Sequence, residues 1–139
     1  ITLIQEDPSW IFSIKEDGED EEDDLPTVAE TSLDRLTCAL GGKTMFPLIM
    51  DKVPSLLSSK IWQHRCAALI TLSCIAEGCI KIMKPHLSKI VEVVVPFIKD
   101  EHPRVIYSCI NTLGQLTVDY SGYFHTNFHA QVFPAIFYC

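Results

Sequence analysis

The sequence has no basic field. Lys and Arg number 11 against 18 Asp and Glu, for a formal net charge of −7 over 139 residues. No stripe of cations is available to neutralise phosphates, which argues against nucleic-acid binding through general electrostatics. Long apolar runs are also missing. The longest, residues 90–98, is broken by Glu92 and Pro96 and falls far short of the roughly 20 residues a membrane span requires. The opening residues carry no basic leader with a small-residue cleavage site. The chain does not begin with Met and stops inside an apolar pattern (FPAIFYC), so a piece of a longer protein is expected.

Signatures of chemistry are equally scarce. The six cysteines, Cys38, Cys66, Cys74, Cys79, Cys109 and Cys139, contain no C-x-x-C pair. Most sit among Ala, Leu and Ile, and read as free, buried thiols of a reducing compartment. His125 and His129 are four apart and share a helix face, but no third ligand stands at a familiar spacing and H-E-x-x-H is absent. Leu40-Gly41-Gly42-Lys43-Thr44 ends like a phosphate loop, yet Thr37 stands where that motif needs Gly, and no strand precedes it. His64 and Cys66, two apart, do not face each other on a helix. No catalytic residue, cofactor site or metal site is read, and a Cys/His or metal-dependent enzyme stays only as a remote alternative.

What the chain does have is one dense block of charge. Eight of its 18 acids fall in the nine residues 16–24 (EDGEDEEDD), broken only by Gly18. The remainder is close to neutral. Such a run steers basic protein segments toward it, through a field that salt screens. It serves equally well as a solvated, disordered insertion.

After Thr27 the sequence reads as helix throughout, with no sustained period-2 alternation, so the class is all-α. Thr27 with Glu30 three residues on has the capping-box pattern. Leu33, Leu36 and Leu40 follow at helical spacing, and Gly41-Gly42 stops the helix and makes the turn to the next. Further helices are predicted over 44–58, 61–77, 85–99 and 104–118, with another starting after Gly122.

These helices repeat. Val53-Pro54-Ser55-Leu56 recurs as Val95-Pro96-Phe97-Ile98 and again as Phe133-Pro134-Ala135-Ile136. The segment from Trp62 to Leu69 aligns with Pro103 to Ile110, and Leu72 and Ile75 fall on Leu113 and Leu116. Two helices per 40-odd residues is the period of a HEAT-type α-solenoid, in which neighbouring helix pairs bury each other's apolar faces. The expected architecture is antiparallel helix pairs in a right-handed superhelix of about three repeats. It divides into a partial segment with an acidic loop (1–27), the second helix of a first repeat (28–42), two repeats (43–80 and 81–120), and the start of another (121–139). Pro54, Pro96 and Pro134 stand in register inside first helices, where proline removes a hydrogen bond and bends the axis. Val105, Cys109, Thr112, Leu113 and Leu116 form one apolar stripe, with Asn111 and Tyr107 well away from it and Gln115 and Asp119 nearer its edge. Trp62 is expected to pack at the start of its helix.

Several motifs in this order carry a family resemblance. The acidic run, Ala29-Glu30-Thr31-Ser32-Leu33-Asp34-Arg35-Leu36, Leu40-Gly41-Gly42-Lys43, Trp62 with Arg65, Ile75-Ala76-Glu77-Gly78-Cys79 and Asp100-Glu101-His102-Pro103-Arg104-Val105 together resemble the karyopherin-β (importin-β) nuclear transport receptors. The nearest branch is that of importin five, also called karyopherin beta-three. The resemblance covers about residues 16–136. It departs at Ile106, where the family tends to carry the Arg of the repeat's Asp/Arg pairing.

The resemblance implies a carrier of basic cargo (proteins with nuclear localisation signals, ribosomal proteins or histones) that is unloaded by the GTPase Ran in its GTP form. Such a carrier shuttles between cytoplasm and nucleus without a cofactor, direct nucleic-acid contact or membrane insertion. It also implies that the acidic loop faces the interior of the superhelix and that second helices line its concave surface. The implied cargo or Ran contacts are Glu19, Asp20, Glu21, Glu22, Asp23 and Asp24 of the loop, with Glu77, Asn111, Gln115 and Asp119 of second helices. A HEAT scaffold that arranges other proteins without Ran is the alternative within binding proteins.

Overall fold

The computed structural model describes Ile4 and residues 25–137. The acidic-loop candidates Glu19, Asp20, Glu21, Glu22, Asp23 and Asp24 lie outside the described residues, as does Cys139. The described elements are all helical: α1 (Leu25–Leu40), α2 (Gly42–Leu57), α3 (Trp62–Cys74), α4 (Ile80–Met83), α5 (Leu87–Val94), α6 (Pro103–Asp119) and α7 (Ser121–Phe137), with 3₁₀ turns at Lys84–His86 and Val95–Lys99. No helix among the described residues is long and apolar enough to cross a membrane.

The helices form two layers. In one, α3 lies between α1 and α6, and its contact with α6 is the most extensive in the molecule. In the other, α2 packs on α4, and α7 packs on the 3₁₀ turn Val95–Lys99. α2 with α3, and the segmented stretch from α4 through Val95–Lys99 with α6, are the two complete helix pairs. The apolar stripe fills the space between layers as its spacing predicts: Val105, Cys109, Thr112, Leu113 and Leu116 are all buried, against Leu69, Leu72, Met83, Leu87, Val91 and Val94.

Several boundaries differ from the sequence expectation, each for a local reason. Thr27 is not an N-cap. α1 begins at Leu25, with Pro26 in its first turn, where a missing N–H costs nothing, and the Thr27 carbonyl accepts from Thr31 Oγ1 at 2.9 Å within the helix. α3 stops at Cys74, so Glu77 sits in the turn at 75–79 and not on the helix. The helix predicted over 85–99 is divided: Pro85 and Pro96 each fall in a 3₁₀ turn, and α5 is what remains between them. Pro54 and Pro134 do lie inside helices, α2 and α7, and α2 holds a second proline, Pro47. Cys66, Cys79 and Cys109 are buried free thiols, but Cys38 is exposed.

The glycine pair has two separate tasks. Gly41 alone breaks the backbone, at φ 79°, a left-handed conformation that glycine adopts without penalty. Its N–H donates to the Thr37 carbonyl at 2.9 Å, and its carbonyl accepts from Thr44 N and Met45 N, so one residue ends α1 and starts α2. Gly42 is already helical and buried; a Cβ there would stand 2.9 Å from Cys79 Cα. Gly78 is its counterpart, with a Cβ position 2.7 Å from Thr37 Cγ2 and 3.0 Å from the Thr37 carbonyl carbon. The connector after α1 thus sits directly on the connector after α3. The connector after α6 follows, through Tyr120, whose buried hydroxyl donates to the Ala76 carbonyl at 3.1 Å.

The opposite edge of the stack holds different chemistry. Arg65 at the start of α3 reaches 35 residues along the chain to Asp100, with Nε–Oδ2 at 2.7 Å and Nη2–Oδ1 at 2.8 Å, and also donates to the Ser59 carbonyl at 3.0 Å. Asp100 Oδ1 also accepts from His102 N at 2.9 Å, just before α6. Trp62 packs as expected, stacked on His102 at 4.0 Å between centroids and 3° between planes. Between the two edges, Cys66 Sγ meets Ser108 Oγ at 3.0 Å and Thr112 Oγ1 lies 2.9 Å from the Leu69 carbonyl. These contacts fix the register of α6 on α3.

Candidate functional site

The polar candidates gather on the α1–α3–α6 layer. A groove of about 270 Å³ is lined by Asp34 of α1, Ser73 and Cys74 of α3, Glu77 of the following turn, and Gln115 of α6. No Lys or Arg lines it. Two of the four sequence candidates outside the acidic run, Glu77 and Gln115, therefore meet in one depression. Asp119 joins through Gln115, whose Nε2 lies 3.1 Å from both of its carboxylate oxygens. That link, one helical turn apart, fixes the amide and carboxylate against each other. Asn111 is exposed, one turn before Gln115 on α6. Asp34 belongs to the same groove, but sequence reasoning did not select it. The signal was weak, a single Asp at i+4 from Glu30, with its neighbours in the groove 39 and more residues away.

The carboxylates around the groove act on nearby thiols, after burial. The Cys74 thiol is pushed up to about 11, first by burial and then by the carboxylates of Glu30 and Asp34, against the relief from its hydrogen bond with Ser73. The Cys38 thiol is also held above its ordinary value, by partial desolvation and then by Asp34 and Glu77. Cys66 is raised by burial as well. A raised thiol has less thiolate character and is a weaker nucleophile than an ordinary one. Among the described residues no three His, Cys, Asp or Glu side chains gather as a metal site. His64 Nδ1 lies against Ser59 Oγ and His129 Nδ1 against the His125 carbonyl.

A second depression, of about 110 Å³, lies between α1 and α3 beside Ile4, where Glu30, Leu33, Ala67 and Ile70 line it together with Cys74. Cys74 is common to both depressions, so they adjoin. Carboxylates along the layer thus run from Glu30 through Asp34 and Glu77 to Asp119.

The chain matches an importin-repeat family over residues 1–47 and a HEAT-like-repeat family over residues 62–116. It is 36% identical over 127 residues to importin subunit beta-3 of Saccharomyces cerevisiae, covering 91% of this chain and 12% of that protein. It is 34% identical over 102 residues to a probable importin-5 homolog of Dictyostelium discoideum, covering 67% of this chain and 10% of the relative. Solved structures of Kap121p bound to Pho4p, to Nup53p and to RanGTP superpose with a TM-score of 0.82 at 34% identity, over 93% of this chain and 13% of theirs.

A form of Kap121p substituted at seven positions superposes equally well but at 31% identity. Four of its replaced residues are an Asp, a Glu, an Asn and a second Asp, separated in turn by 43, 34 and 8 residues. Asp34, Glu77, Asn111 and Asp119 have the same identities and the same separations. The fall of three percentage points over the matched length amounts to about four residues. Four and three residues before the first of these Asp residues, the replaced pair in Kap121p is Arg-Gln, where this chain carries Glu30-Thr31.

Proposed function

Since the chain belongs to the karyopherin-β family, as a run of HEAT repeats in the importin-five branch, we propose that it is part of a nuclear import receptor and that its α1–α3–α6 face binds basic segments of cargo. The observation that carries this reading is the grouping of Asp34, Glu77, Asn111 and Asp119 on that face, at the spacings of four residues replaced together in Kap121p. Three carboxylates and an amide spread over three elements suit an extended peptide with several Lys or Arg side chains. Each exposed contact is worth little alone, so affinity comes from several made at once. The acidic run, with Glu19, Asp20, Glu21, Glu22, Asp23 and Asp24, adds long-range attraction for the same cargo and raises the rate of encounter. Gln115 serves by holding Asp119. Release by Ran in its GTP form and shuttling between nucleus and cytoplasm follow from the same membership and are proposed for the intact protein, of whose relatives this chain spans about 12%.

The test is fluorescence anisotropy of the intact protein with a labelled Lys-rich peptide. Replacing Asp34, Glu77, Asn111 and Asp119 together by Ala is expected to weaken binding about tenfold or more at low salt. Unchanged affinity refutes the site. Separately, recovery of the intact protein by immobilised Ran should depend on GTP over GDP. Equal recovery in both states favours a Ran-independent scaffold.

A further inference from the structure

The α1–α3–α6 face of this chain differs in charge from the set of residues replaced in Kap121p at one end, and the difference falls on a definite place beside the groove. Glu30 lies one helical turn before Asp34 on α1 and lines the crevice between α1 and α3. Its neighbours there include Leu33, Ala67 and Ile70, which offer apolar wall beside the carboxylate. Kap121p has Arg at this spacing, in the same replaced set as the four residues the two chains share. Thr31, in place of Gln, turns its hydroxyl back to the Thr27 carbonyl and presents no amide. The exchange therefore replaces a cation by an anion beside an apolar crevice, while Asp34, Glu77, Asn111 and Asp119 are kept.

Resting on the cargo reading above, we propose that Glu30 is a specificity-determining residue: it selects cargo segments bearing an additional Lys or Arg over the α1–α3 crevice, a position at which a receptor with Arg there disfavours a cation. A Lys suits the place well, since its methylene stem lies along Leu33, Ala67 and Ile70 while its ammonium reaches the carboxylate. Like charges set opposite one another supply the discrimination against a segment with an acid at that position. The carboxylate acts at one end of the face only, because Asp119 and Asn111 lie on α6, beyond α3.

The experiment uses the intact protein and three labelled peptides of equal length: one with Lys at three spaced positions, and two in which the first or the last Lys is replaced by Glu. Glu30→Arg is expected to weaken the all-Lys peptide about two- to fivefold at low salt. It should also tighten one of the Glu-bearing peptides while leaving the other little changed. Equal changes for both Glu-bearing peptides, or none, overturn the proposal, since they indicate diffuse steering or no contact. Glu30→Gln should give an intermediate loss, and an unchanged circular-dichroism melt confirms that the fold is intact. Failure of the parent reading is distinguishable. If the Asp34/Glu77/Asn111/Asp119 variant also leaves the all-Lys peptide unaffected, the face itself is not the site; if that variant weakens it and Glu30→Arg does not, only the role of Glu30 falls.

Discussion

Asp100→Ala tests what joins one repeat to the next. The carboxylate accepts two charge-assisted hydrogen bonds from Arg65 and one from the backbone N–H of His102. The Arg65 and Asp100 side chains retain only 14% and 8% of their exposure. Removing one partner of a fully buried pair costs about 3–5 kcal/mol, because the other charge is left uncompensated. Arg65 keeps the Ser59 carbonyl as a partner and some access to water, which lowers the expected loss to about 2–3 kcal/mol. Urea unfolding followed by circular dichroism measures it. Because the pair bridges two repeats, the transition should also broaden as coupling between neighbours weakens. Replacing both residues, Arg65→Met with Asp100→Ala, should cost less than the sum of the singles, leaving a coupling energy of about 1–3 kcal/mol. A loss below about 0.5 kcal/mol, the range of ordinary surface substitutions, refutes the inter-repeat role. The pair has a pH signature as well. Burial pushes the Asp100 carboxyl up, but the hydrogen bonds from Arg65 and His102 and their charges carry it below its ordinary value. Its contribution is therefore complete above the unfolded carboxylate range, near pH 4, and is lost as pH falls through the lower folded value. Asp100→Asn should flatten that acid limb.

Gly78→Ala should destabilise by about 2–3 kcal/mol, since its Cβ meets Thr37 at 2.7 Å to Cγ2 and 3.0 Å to backbone carbon. Gly114→Ala, with nothing within 4 Å of its Cβ inside α6, should stabilise by about 0.5–1 kcal/mol; urea midpoints of opposite sign check both, and two losses refute the contact argument. Thr112→Val removes a hydroxyl between the Leu69 and Ser108 carbonyls and should cost about 1–2 kcal/mol by the same measurement. Alkylation of the native chain should modify Cys38 before Cys66, Cys79 and Cys109, following their exposure; mass mapping that finds a buried thiol first contradicts the packing.

The repeat architecture was legible because burial imposes a period. The same apolar spacing returns at Leu69, Leu72 and Ile75 and at Ile110, Leu113 and Leu116, whatever the loops between them do. Helix ends were less legible. Pro26, Pro85 and Pro96 shift or divide helices through local backbone geometry, which hydrophobic periodicity does not encode. The pairing of Arg65 with Asp100 was hidden by a separation of 35 residues along the chain. The groove was less legible than the acidic run. The acids of 16–24 stand out in one dimension, whereas Asp34, Glu77 and Asp119 become a set only after three elements are folded together. Glu77 was chosen as a helical residue and is a turn residue, yet it reaches the groove all the same.

The two edges of the stack have unequal compliance. On one, connectors approach through Gly42, Gly78 and the buried Tyr120 hydroxyl, with atoms of Thr37, Ala76 and Cys79 directly opposite. On the other, the repeats touch through an ion pair and a stacked Trp62–His102 ring pair, contacts that can lengthen or slide by fractions of an ångström. The array is bound like a book along a stiff spine. A change in its curvature opens or closes the fore-edge, so the strength of one Arg–Asp clasp helps set how far this part of the array can bend.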